Sequence, residues 1–240
     1  MSARHIMFFV DRPAGLERGV LQKVAQLARG LDAEVEVFDC IFDPTITDCE
    51  KVQRDVDARG AELGTVVEFL QDLSVHSRVT VHWAYPPRDG VLWQIHKQPP
   101  DLLVIQSSDY KLIKRAPCSL WVIRNAGHYE GGRVITAADP QSSDDPRVVA
   151  FASEVSRAMD MPLPEAGHEA SSSDLLVIGA VSRSAFRKAR ISHCDLLIVK
   201  VAAEVPVDPR IHLQGLRLAT KAGSRGDEII RTSQKWSTGP

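Results

Sequence analysis

The chain contains one aliphatic pentapeptide twice: Asp101-Leu-Leu-Val-Ile105 recurs, residue for residue, as Asp174-Leu-Leu-Val-Ile178. In both places a basic connector follows, and then a cysteine-led apolar run, Cys118-Ser-Leu-Trp-Val-Ile-Arg124 and Cys194-Asp-Leu-Leu-Ile-Val-Lys200. Upstream, Arg133–Ala138 ends in Asp139-Pro140, echoing Val10-Asp11-Arg12-Pro13. Short apolar runs bounded by turn residues are the pattern of strands buried on both faces. Their recurrence in the same order points to two copies of one α/β unit.

The first copy reads as a complete unit. After the strand His5–Val10, the residues Leu16, Val20, Val24, Leu27 and Leu31 recur at helical spacing, and Asp32–Cys40 alternates as a second strand. A charged helix over 48–73, a third strand over Arg78–Ala84 and a short helix over Gly90–Lys97, stopped by Pro99-Pro100, come next. Asp101–Ile105 and Ser119–Ile123 complete five strands, joined by what reads as a short connector. Parallel strands need crossovers, and right-handed crossovers build a doubly wound parallel sheet. The second copy is cut down: Asp11 precedes Asp101 by 90 residues, but Asp139 precedes Asp174 by only 35. That leaves room for a helix over Asp145–Met159 and three strands, with Met161–Ser173 as a loop. The expected organisation is a complete domain over 1–126, a linker over 127–132, a reduced domain over 133–202 and a C-terminal segment over 203–240.

Composition excludes several function classes. Of 240 residues, 44% are hydrophobic and 25% charged, and 29 Lys+Arg against 31 Asp+Glu leave a formal charge of −2. A near-neutral chain with 6% aromatic residues offers neither a basic face nor a base-stacking platform for nucleic acid. No apolar run approaches membrane-spanning length, and Ile6–Val10 is far shorter than a signal-peptide core. The four cysteines (40, 49, 118, 194) form no CxxC, so reduced thiols and a cytoplasmic setting are expected. The eight histidines show no metal-ligand spacing. No GxSxG elbow, P-loop or GxGxxG is present, and Asp39, Asp43 and Asp48, near one sheet end, are not fixed as a catalytic pair.

Five features belong together: the strand-ending Asp11, the stretch 115–124 (RAPCSLWVIR), the linker and strand 130–140 (EGGRVITAADP), 174–184 (DLLVIGAVSRS) and 194–200 (CDLLIVK). By these residues the first copy resembles a universal stress protein domain, and the whole resembles the tandem, two-domain members of that family. The resemblance implies a Rossmann-like sheet in the order 3-2-1-4-5. ATP-binding members carry a G-x2-G-x9-G-(S/T) loop after strand 4, where backbone amides and a helix N-terminus hold the phosphates. Here the first copy has Gln106–Arg115 without a glycine, and the second, Gly179–Arg190, keeps only Gly179. Asp11 and Asp139 match the acid that such proteins place near adenosine. Together with Gly179, Ser182, Arg183 and Ser184 they outline a degenerate nucleotide site.

The expected function is a non-enzymatic stress-response or interaction module without a cofactor, metal or catalytic residues. One alternative is an ATP-, AMP- or anion-binding protein that uses Asp11 or Asp139 with the cluster Arg183, Arg187, Lys188 and Arg190. Another is an enzyme of the wider nucleotide-binding α/β superfamily. Family domains commonly pair through strand 5, so the expected partner is internal: a pseudo-dimer through strands 119–123 and 195–199. A further homodimer is compatible with it. The open edge left in the reduced copy could be covered by Ile211–Leu218 or by a second chain.

Overall fold

The computed structural model describes residues 4–10, 12–106, 110–129, 131–136, 146–163, 171–179 and 194–200. The first half alternates strictly: β1 (Arg4–Phe9), α1 (Arg18–Leu31), β2 (Ala33–Ile41), α2 (Cys49–Asp72), β3 (Ser77–Trp83), α3 (Pro87–Lys97), β4 (Leu102–Ile105), α4 (Tyr110–Arg115) and β5 (Ser119–Val122). The second half adds β6 (Val134–Thr136), α5 (Pro146–Met159), β7 (Leu175–Gly179) and β8 (Asp195–Val199).

Among the described residues, eight strands form one sheet in the order β3-β2-β1-β4-β5-β8-β7-β6. The first five are parallel and follow the order 3-2-1-4-5 that the resemblance implies. β6, β7 and β8 are parallel to one another. The sheet changes sense once, where β5 pairs antiparallel with β8, setting Leu120 opposite Ile198, Trp121 opposite Leu197 and Val122 opposite Leu196.

Side-chain alternation sorts the strands into two faces. Ile6, Phe8, Val35, Val37, Trp121 and Leu197 join α1, α2 and α5 in one core, while Met7, Phe38, Leu103, Leu120, Leu196 and Ile198 join α3 and α4 in the other. α1 buries Val20, Val24 and Leu27, as its spacing predicts, and lies against α5. A Cβ on Gly30 would stand 2.4 Å from the Ala158 carbonyl oxygen, so the two helices cross backbone to backbone. α2 is capped by Asp48, whose carboxylate accepts the Glu50 amide at 2.9 Å.

The two halves reuse the same local devices. α1 and α5 each end in an aspartate with left-handed backbone, Asp32 (φ 52°) and Asp160 (φ 51°), a conformation that short polar side chains tolerate. Asp101 accepts the amide of His5 at 2.8 Å, and Asp174 accepts that of Arg133 at 2.8 Å. The connector between β4 and β5 is not plain loop, as the sequence suggested. It holds the six-residue α4, which buries Leu112 and Ile113; the Ile113 carbonyl, and that of Ala116 just beyond the helix, accept hydrogen bonds from the Lys200 ammonium. After α5 the chain runs as Met161-Pro162-Leu163, and the Val134 amide donates to the Pro162 carbonyl at 2.9 Å along the outer edge of β6.

Candidate functional site

In an open parallel sheet, ligands gather beyond the carboxyl ends of the strands where the strand order reverses, here between β1 and β4. Val10 closes β1 by donating to Phe38 at 2.9 Å, and the chain then turns through Pro13–Gly15 into α1. Beyond β4 only residues 106–109 intervene before α4 begins at Tyr110. Of the sequence-derived site residues, Gly179 is the one described: it is buried as the last residue of β7, paired with Val199. Asp11, Asp139, Ser182, Arg183, Ser184, Arg187, Lys188 and Arg190 lie outside the described residues, as does Ile211–Leu218.

The acids near this sheet end are held by local structure. Asp39 is buried beside the Arg59 guanidinium at 3.1 Å and accepts the Cys40 amide at 2.7 Å. Asp43 accepts both the amide and the hydroxyl of Thr45, which draw its carboxyl below the ordinary range. Asp48 is the α2 cap. Burial pushes the Cys40 thiol up to about 12, aided by the Asp39 carboxylate, and burial likewise raises Cys118 to about 12, so neither is a thiolate nucleophile near neutral pH. Among the described residues, no group of three His, Cys, Asp or Glu could hold a metal ion, and no helix is long and apolar enough to cross a membrane.

Two buried polar clusters stand out. On the α3 face, Glu36 accepts from His5 Nε2 and from Arg78 Nη2, both at 2.8 Å, and Arg78 also pairs with Glu34. Burial works against the Glu36 charge, but the hydrogen bonds from His5 and Thr80 and the Arg78 charge outweigh it, holding the carboxyl below its usual value. This cluster ties β1, β2 and β3 together at the edge of the sheet.

The second lies where the halves meet. Asp195, wholly buried at the start of β8, accepts from Lys23 Nζ of α1 at 2.7 Å and from the Tyr129 hydroxyl at 2.5 Å. Its other oxygen accepts the amides of Arg124 and Asn125 at 2.7 and 3.0 Å. Lys23 Nζ also donates to the Asn125 carbonyl at 2.6 Å and sits 4.0 Å from the centre of the Tyr129 ring. Burial, then the Asp195 charge and hydrogen bond, drive the Tyr129 hydroxyl well above its ordinary pKa, so it remains a donor. Every oxygen and proton needed is supplied, which is how buried charge is tolerated. The sequence carried two signals for this cluster: Lys23 lies three residues after Val20 and four before Leu27, on the edge of the apolar stripe, and Asp195 opens an otherwise apolar strand.

No family model matches this chain, and no curated protein does. Solved structures do. A candidate universal stress protein from Pseudomonas aeruginosa superimposes with a TM-score of 0.60 at 14% identity, over 91% of this chain and 99% of that one. A functionally unknown protein from the same organism gives 0.58 at 16% identity, over 90% and 97%. A universal stress protein from Archaeoglobus fulgidus gives 0.52 at 8% identity, over 91% and 85%. The chain therefore has the universal stress protein fold, and the likeness extends across both halves.

Proposed function

We propose that the chain is a cytoplasmic, non-enzymatic interaction module of the universal stress protein type. In this reading it is a tandem whose second copy keeps strands 1, 4 and 5, folded as a pseudo-dimer within one molecule. The observation that carries the reading is the β5–β8 junction. With Cys118 equivalent to Cys194, Leu120, Trp121 and Val122 correspond to Leu196, Leu197 and Ile198. Leu120 then faces the counterpart of Val122, Val122 faces the counterpart of Leu120, and Trp121 faces its own counterpart. Such reciprocal pairing is the signature of a twofold interface.

Other contacts support the same local axis. Gly30 and Ala158, equivalent in the repeat, meet at the α1–α5 crossing. The Arg124 amide donates to Asp195 as the Lys200 amide, at 3.2 Å, donates to Ser119. Met161-Pro162-Leu163 stands where Ala33-Glu34-Val35 open β2 in the first half, a remnant of the strand the second copy has lost.

The site that binds nucleotide in such folds is degenerate in this reading. Residues 106–109 include no glycine and are too few for the phosphate loop, and the second copy retains Gly179 alone, inside a strand. Titration calorimetry and thermal shift with ATP, ADP and AMP test the reading. Ligand at 100 times its dissociation constant stabilises by about 2.7 kcal/mol, a shift of roughly 5–10 °C for a chain this size. The expected result is no saturable heat and no shift. Stoichiometric binding that disappears in Asp11→Ala or Asp139→Ala would instead make the protein a nucleotide binder.

A further inference from the structure

We infer that the buried Lys23–Asp195 pair selects the partner of strand β5, making it take β8 of the same chain and refuse β5 of a second copy. The inference rests on the pseudo-dimer reading and adds to it a device for choosing between pairing within and between molecules.

Exposure of the two side chains is 3% and 0%. A buried ion pair loses much of its attraction to desolvation, and apolar residues of similar volume commonly serve stability as well or better. What such a pair does reliably is penalise arrangements that separate its members.

Here the penalty is built into an asymmetry. In the repeat, the counterpart of Asp195 is Ser119 and the counterpart of Lys23 is Phe151, so the charges lie on one side of the local axis only. Pairing β5 with β5 between two copies would place a serine hydroxyl where Asp195 now sits, leaving a buried ammonium without its carboxylate on both sides of the dimer. Pairing β8 with β8 would set each Asp195 against the counterpart of Lys23, a phenylalanine, leaving two buried carboxylates without a cation. Only β5 with β8 satisfies both charges, and pairing within the chain achieves this at any concentration.

The linker strengthens the preference. Asp195 also holds the Arg124 and Asn125 amides and the Tyr129 hydroxyl, so the segment joining the halves is anchored by the carboxylate that Lys23 neutralises. The facing side chains of β5 and β8 do not discriminate by themselves, because on both strands they are aliphatic or aromatic.

Sedimentation equilibrium on the full chain tests this. The wild type should sediment as a single chain across the concentration range. Lys23→Met/Asp195→Ser removes both charges and gives β8 the serine that β5 already carries. It should remain folded by circular dichroism and associate, with a dimerisation constant raised at least about tenfold. A folded double variant as monomeric as the wild type overturns the inference while leaving the pseudo-dimer intact. A wild type whose dimer pairs β5 with β5, seen as β8 amides that lose their exchange protection on dimerisation, overturns both. Should the double variant not fold, Lys23→Met alone decides, since Asp195 keeps its tyrosine and amide donors: a raised dimer fraction supports selection by charge, and an unchanged one rejects it.

Discussion

Single charges in this molecule act mainly through what happens when a partner is removed. Asp195→Ala leaves Lys23 buried without its carboxylate and strips an acceptor from Tyr129 and two amides. Equilibrium urea unfolding should show a loss of about 3–5 kcal/mol, and adding Lys23→Met should recover part of it, since the two residues share one network. His82 offers a second residue-scale test. Its ring packs edge-on to Phe38 at 5.1 Å and lies 6.0 Å from Trp93, and burial lowers its pKa to about 4 from an ordinary 6.5. Between those values the unfolded chain binds a proton that the folded chain does not, so stability falls as pH drops from 6.5 towards 4. Glu36, held below its ordinary 4.5, adds a further loss at more acidic pH. His82→Leu should flatten the pH dependence of unfolding between 6.5 and 4, and a slope equal to that of the wild type would reject this assignment.

At the level of helices and strands, glycines with different surroundings make opposite predictions. Gly60 and Gly64 in α2 have open space where a Cβ would go, so Gly→Ala at either should raise stability by about 0.5–1 kcal/mol through helix propensity. Gly30→Ala in α1 gains the same propensity but drives a methyl into the Ala158 backbone at the α1–α5 crossing, and a net loss of about 1–3 kcal/mol is expected in thermal unfolding. The elements themselves were largely legible. Fully apolar β4 and β7 and the amphipathic α1 announce themselves because burial on two faces, or on one stripe, leaves a periodic trace. α4 did not, since six residues give too little periodicity to read, and its stability comes from Leu112, Ile113 and the distant Lys200. Lys23 and Asp195 were individually visible as charges in apolar surroundings, but their meeting depends on which strand edges join. No local spacing encodes that. The lack of glycine between Gln106 and Arg115 was legible for the opposite reason, because it is a property of the string alone.

Across the whole molecule, one eight-stranded sheet joins two halves that the repeat alone would have allowed to stand apart. The outer edge of strand β5 is occupied by β8. Closing that edge removes a template for pairing with other chains and leaves β3 and β6 as the outer strands among the described residues. In the pseudo-dimer this junction forms within each molecule. Amide hydrogen exchange of β5 and β8, followed across a hundredfold range of protein concentration, distinguishes internal from intermolecular pairing. If the pairing is internal, the amides around Leu120–Val122 and Leu196–Ile198 should exchange only with global opening and at a rate independent of concentration. Protection that grows with concentration, or free exchange along either strand, would contradict it.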